Sequence, residues 1–244
     1  MNSTATAAGS APAPKSLLAR FIGIITAPKD TFAAVAATPR WFGMLALCAI
    51  ATATLVGGFL ATRTGQDAWL SQTIETRASM GSPLSDQQVQ GMERMAPYVG
   101  YLGAGQMLIG LPIICLVMAG ILFAIFNAAL GGEASFKQVF SVVVHAGPIG
   151  VLSSAFSMPI NYARGSLSGA ANLGVLLPML DERTFLSHFL GTIDLFLVWQ
   201  LVVLAIGLAV LYRRRTQPIA MSLLAVYGVI AIVIAVVKSR VGGA

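Results

Sequence analysis

Charge is what this chain has least of. Charged residues make up 10% of its 244 positions, against about 25% in soluble globular domains, and that shortage excludes an ordinary water-soluble fold. Cysteine is nearly absent too. Cys48 and Cys115 are the only two, they form no CxxC pair, and no histidine cluster accompanies them. A structural metal site needs about four such ligands, so both read as buried free thiols packing as small apolar groups. There is no GxSxG, no HExxH and no glycine-rich loop running into a Lys-Ser/Thr pair. Nucleophile-elbow, zinc-protease and phosphate-cradling chemistries therefore lack their carriers, and the chain reads as a non-enzyme with no cofactor. A net charge of +6 would invite a nucleic-acid partner in a soluble protein. Here no basic face interleaved with aromatics exists, so no nucleic acid is expected. No internal repeat of about 20–50 residues is present. Nor does the N-terminus combine a basic start, a short apolar run and a cleavage site, so the first span reads as a retained signal-anchor.

What the chain has instead is apolar length: 57% of its residues are hydrophobic. Five stretches carry no charge: Trp41–Thr62, Met95–Gly132, Gln138–Ala163, Leu195–Tyr212 and Thr216–Val237. A hydrocarbon core about 30 Å thick takes about 20 apolar residues of helix, and in lipid the backbone must satisfy its own hydrogen bonds. The expected fold is all-α, a polytopic bundle of about five transmembrane helices. Span two is placed from near Ala104, with a tolerated kink at Pro112.

The outer parts divide readily. Residues 1–15 are Ala/Ser/Thr/Pro-rich and read as a disordered tail. Within 16–40, Leu17, Leu18, Phe21, Ile22 and Ile25 recur at helical spacing, predicting an amphipathic helix on the membrane interface. Pro28 ends it, and Lys29-Asp30-Thr31 restarts a second short helix. The membrane domain then runs over 41–237, followed by a short tail at 238–244. Between spans one and two, surface helices are expected around Trp69–Met80 and from Ser85, where Ser85 and Gln88 match a capping box. Between spans three and four, Val175–Leu180 around Pro178 suits a re-entrant or interfacial segment.

A cytoplasmic N-terminus would place Lys15, Arg20, Lys29, Arg40, Lys137 and Arg213–Arg215 inside. The arginine triplet in its short loop is the strongest vote for that orientation, and Lys238 and Arg240 vote against it.

Polar residues within spans are functional candidates by default. Asn127, His145, Asp194 and Gln200 form the candidate intramembrane polar site. Asp194 is expected at the outer interface, able to pair with Arg164 or Arg183, while His145 lies about 10 Å deep from the opposite side at the helical rise. A direct His–Asp relay is therefore not expected. A histidine hydrogen-bonded across helices is the simpler reading of His145, and Asn127 and Gln200 invite the same one. Small residues form two stripes, Ala49, Ala53, Gly57 and Ala61 in span one and Ala146, Gly150 and Ser154 in span three. Such stripes permit close helix approach in lipid. They predict that span three is the most enclosed, with span one as the favoured neighbour of its small face.

Ordered segments carry a family resemblance: TAPKDTF at Thr26–Phe32, TPRW at Thr38–Trp41, GGEASFKQ at Gly131–Gln138, VVVHAGP at Val142–Pro148 and TIDLFLVWQ at Thr192–Gln200. With the five-span layout, the chain resembles the bacterial branch of the Yip (Ypt/Rab-interacting protein) domain family. The resemblance implies a five-helix membrane domain with a cytoplasmic N-terminus, in a bacterial cytoplasmic membrane. Eukaryotic relatives look like trafficking adaptors that engage Rab GTPases and oligomerise. The family's GTPase-contacting segment has no counterpart in residues 1–15. The expected function is a membrane scaffold or adaptor binding proteins or lipids, its partners the lipid bilayer and a protein partner or second copy. A small transporter or channel subunit is the alternative.

Overall fold

The computed structural model describes residues 16–167, 169–176 and 184–241. Its elements are α1 (Leu17–Thr26), α2 (Pro28–Ala37), α3 (Phe42–Leu60), α4 (Arg63–Ser79), α5 (Asp86–Met95), α6 (Val99–Phe123), α7 (Phe136–His145), α8 (Pro148–Arg164), α9 (Phe185–Thr192), α10 (Leu195–Tyr212) and α11 (Thr216–Val241). Five helical units are long and apolar enough to cross a bilayer: Phe42–Leu60, Asp86–Ala129, Phe136–Arg164, Leu195–Tyr212 and Thr216–Arg240. The chain is a multi-pass integral membrane protein. The expected tail at 1–15 lies outside the described residues, as do Arg183 and the second part of the Val175–Leu180 segment, whose first residues close a 3₁₀ turn at Leu173–Leu176.

Local sequence sets most boundaries. Ser85 and Gln88 exchange both bonds of a capping box at the start of α5. Ser135 and Gln138 do the same for α7, and the Gln138 amide also donates to the Ala36 carbonyl at 3.1 Å, tying α7 to α2. Span two begins at Val99, earlier than Ala104, because α5 runs through a 3₁₀ turn at Ala96–Tyr98 straight into α6. Pro112 is accommodated within it. Its far end widens into a π-helical turn over Ala124–Ala129.

Span three is two helices rather than one. Pro148 has no N–H to give the Val144 carbonyl, so the α-helical ladder cannot continue through it. The Gly147 amide takes that carbonyl instead, at 3.0 Å, leaving a two-residue break at Ala146–Gly147. Span three is nevertheless the most enclosed unit: 56% of its most apolar window is buried, against 11% for span two and 17% for the last span.

The core gathers at the end of the bundle that holds α1 and α2. Ile24, Phe32, Met44, Val139, Val142, Ile149, Val203 and Leu208 are all buried there. The α1–α2 hairpin is part of this core. Its two helices meet where Thr31 Oγ1 packs against Gly23, a contact that leaves no room for a Cβ. Phe32 then inserts over Gly207 of α10, where an added Cβ would lie 2.8 Å from the Phe32 ring and 2.7 Å from Val142. The α1 helix has a second apolar side, with Leu18 and Ile22 facing outward.

The span-one stripe serves mainly the contact with α6. Gly57 lies against Ala104 and the Gly100 carbonyl, and Gly100 lies against Ala61. Ala49 and Ala53 are buried as well.

Candidate functional site

His145 is fully buried at the C-terminal end of α7. Its Nε2 lies 3.2 Å from Arg20 Nη1 and its Nδ1 lies 2.7 Å from the Ser141 carbonyl. A guanidinium can only donate, so Nε2 is the acceptor and the proton sits on Nδ1, which donates to Ser141. Arg20 Nη1 also donates to the Arg40 carbonyl at 3.0 Å. Burial, and then the neighbouring Arg40, push the Arg20 guanidinium below its ordinary value, but an arginine remains charged throughout the accessible range. The histidine therefore does bond across helices, and its partner comes from the N-terminal hairpin rather than from another span.

Asn127 sits in the π turn. Its Nδ2 donates to the Ala134 carbonyl at 2.6 Å and its Oδ1 accepts from Tyr212 Oη at 2.6 Å. Tyr212 stacks on Phe126 with centroids 4.8 Å apart, and Arg214 donates to the Leu130 carbonyl at 3.0 Å. Together these bonds fasten the turn between spans two and three to the end of span four.

Asp194 caps α10. Its carboxylate accepts from the Leu197 amide at 2.9 Å, the arrangement an N-terminal helix amide favours. Among the described residues it makes no ion pair with Arg164. Its own amide donates to Tyr227 Oη at 3.0 Å, and that hydroxyl donates to the Thr192 carbonyl at 2.8 Å. Asn172 and Asp194 form an isolated antiparallel bridge. Asp194 thus marks a break between α9 and α10, both of which pack along α11.

Gln200 is different. Its side-chain amide has no partner among the described residues. It lines a mainly apolar cavity of about 290 Å³ between α3, α6, α7, α8 and α10, together with Thr52, Cys48, Cys115 and Gly150. Asn127, His145 and Asp194 do not reach this cavity. Gly150 looks across it, a Cβ there lying 3.9 Å from Gln200 Oε1. Of the two glycines of span three, Gly147 is the one close to span one, where a Cβ would lie 3.2 Å from Cys48 Sγ. Ala146 is buried in the break, and Ser154 returns its hydroxyl to the Gly150 carbonyl at 3.1 Å.

The four polar candidates are thus dispersed: one at each end of the bundle in local networks, one bound to the hairpin, one in a cavity. The residues that complete those networks, Arg20, Tyr212 and Tyr227, belong to no sequence motif of a site. Only the aromatic–hydroxyl character of the tyrosines within apolar helices could flag them.

Comparison with known proteins gives one coherent result. The Yip1 domain family model matches residues 22–237. A membrane protein of Bacillus subtilis (strain 168), YknW, is 26% identical over 194 residues, covering 76% of this chain and 75% of its own. No solved structure matches.

Proposed function

We propose that this chain, which belongs to the Yip1 domain family, is a membrane scaffold or adaptor that binds proteins or lipids. The supporting observation is the use made of polar groups in the spans. Asn127, His145 and Asp194 are each committed to bonds that hold helices and turns together. A transporter needs polar groups that a solute can reach and leave on both sides, and groups engaged in this way are poorly suited to that. The exposed apolar faces of α6 (Ile109, Ile113, Val117) and α11 (Val229, Val233) are broad and suit lipid, a second copy or a partner helix. The outward Leu18 and Ile22 of α1 suit the membrane interface. On this reading the N-terminus is cytoplasmic.

A transporter for a small neutral solute is the second reading, favoured by the unpartnered Gln200 amide in its cavity. Crosslinking in native membranes followed by purification, set beside flux measurements in liposomes, separates the two. The scaffold reading expects a reproducible crosslinked partner or dimer, weakened by L18S/I22S, and no flux. Solute movement that Gln200→Leu stops would overturn it.

A further inference from the structure

The reversal between α10 and α11 carries Arg213, Arg214 and Arg215, all exposed. Arg213 caps α10 in a left-handed conformation, φ 51°, so the chain turns back at once. Arg214 is tied to the Leu130 carbonyl. Arg213 and Arg215 have no side-chain partner among the described residues.

Two concavities meet at Arg214 and Arg215. One is a recess of about 640 Å³ beside the first turn of α2, edged by Lys29, Asp30, Thr216 and Gln217 as well as the arginines, with Ala33, Ala209 and Val210 in its lining. The other is an apolar groove of about 290 Å³ between the π turn of span two and α11, lined by Leu122, Ile125, Ile219, Leu223 and Val226. From Ile219 to Val226 the groove follows α11 for about 10 Å at the helical rise, within a leaflet of about 15 Å of hydrocarbon. Ile125 and Val226 are exposed along it, so it opens on the side that faces lipid.

We propose that this is a binding site for an anionic glycerophospholipid, its phosphate on Arg214 and Arg215 and one acyl chain in the groove. Lys29 and the three arginines outnumber the nearby Asp30 and Glu133, so the rim is net positive. The guanidinium fork matches phosphate oxygens. The opening turn of α11 adds the Thr216 and Gln217 amides, which have no intrahelical partner, and the positive end of the helix dipole; Pro218, the third residue of that turn, has no N–H to give. Basic rims between transmembrane helices are where acidic headgroups bind. A loop that only fixed topology would need the charge but neither the recess nor the groove. A free anion would fill the recess and leave the groove unused. The site names a ligand class for the scaffold reading and rests on it only in that sense, since a protein partner could be absent and the lipid still bound.

Native mass spectrometry of the full chain, with phosphatidylglycerol and phosphatidylcholine of identical acyl chains, tests this. Phosphatidylglycerol should be retained about five-fold over phosphatidylcholine, the scale of one arginine's attraction to an anionic surface. Arg215→Gln, which breaks no bond within the described protein, should bring that ratio close to one while the elution profile stays that of the wild type. Leu223→Trp, filling the groove, should reduce retention of both lipids. K238Q/R240Q, at the other end of the bundle, should change nothing. Equal retention of the two lipids overturns the proposal, as does an equal loss in K238Q/R240Q. Displacement of phosphatidylglycerol by inorganic phosphate, with no effect of Leu223→Trp, would show a free-anion site and also overturn it.

Discussion

Arg20 of α1 donates to His145 of α7 at 3.2 Å, joining the N-terminal hairpin to the most enclosed span. Both groups are hard to leave unpaired. His145 is fully buried, and a buried polar group that loses its partner costs about 1–3 kcal/mol, more when charged. His145→Ala and Arg20→Ala should each lower the unfolding temperature in detergent, and the double variant should lose less than their sum. Simple additivity would show that the bond contributes nothing.

Phe32 fills the notch left by Gly207. Phe32→Ala should destabilise the protein by about 3 kcal/mol, the scale of a buried aromatic lost without collapse. Gly207→Ala should cost about 1–3 kcal/mol by overpacking. Proteolysis of purified protein should then begin in the hairpin. Removing residues 16–37 as a block would unseat this core, so the exposed pair Leu18 and Ile22 is the better probe of what the hairpin binds.

The two glycines of span three should behave differently. A Cβ on Gly147 would meet Cys48 Sγ and the Val144 carbonyl at 3.2 and 2.9 Å, whereas one on Gly150 would meet only Gln200 Oε1 at 3.9 Å. Gly147→Ala should lower stability by about 1–3 kcal/mol. Gly150→Ala should leave the unfolding temperature nearly unchanged. The reverse order would contradict the packing described.

Asp194 acts as a cap, and asparagine caps a helix about as well. Asp194→Asn should therefore keep stability, Asp194→Ala should cost about 1 kcal/mol, and Tyr227→Phe should loosen the same junction. Amide exchange at Leu197 reads the two cap variants directly, and exchange at Asp194 reads Tyr227→Phe.

With the N-terminus inside, a cysteine at position 29 should be labelled only after the membrane is permeabilised, and one at position 86 in intact cells. The opposite pattern would invert the proposed orientation.

The spans are legible in the sequence because a charge-free apolar run of about 20 residues matches the thickness of a bilayer and little else. The α5 start is legible for a local reason, Ser85 with Gln88. The break in span three has its signal in Gly147-Pro148, and the Asp194 cap in a carboxylate directly before an apolar run. The hairpin's inner face does not separate from its outer one. Core and lipid accept the same side chains, so Phe32 and Ile24 look no different in sequence from Leu18 and Ile22. The pairings of Arg20 with His145 and Tyr212 with Asn127 join residues far apart in the chain, and nothing local encodes them.

The seating of Phe32 on Gly207 also sets a timetable. The aromatic ring is made well before its receptor, since Phe32 and Gly207 are far apart in the chain. At about 5–20 residues per second the ribosome needs roughly 10–35 s to cover that gap. Through that interval the newborn hairpin has no finished core to enter. It must wait with its apolar side on the membrane surface or in the keeping of an insertion factor. The interior can close only when the fourth span has been delivered, so a chain truncated before α10 should be recognised by quality control as incomplete even though three of its spans are already in the bilayer.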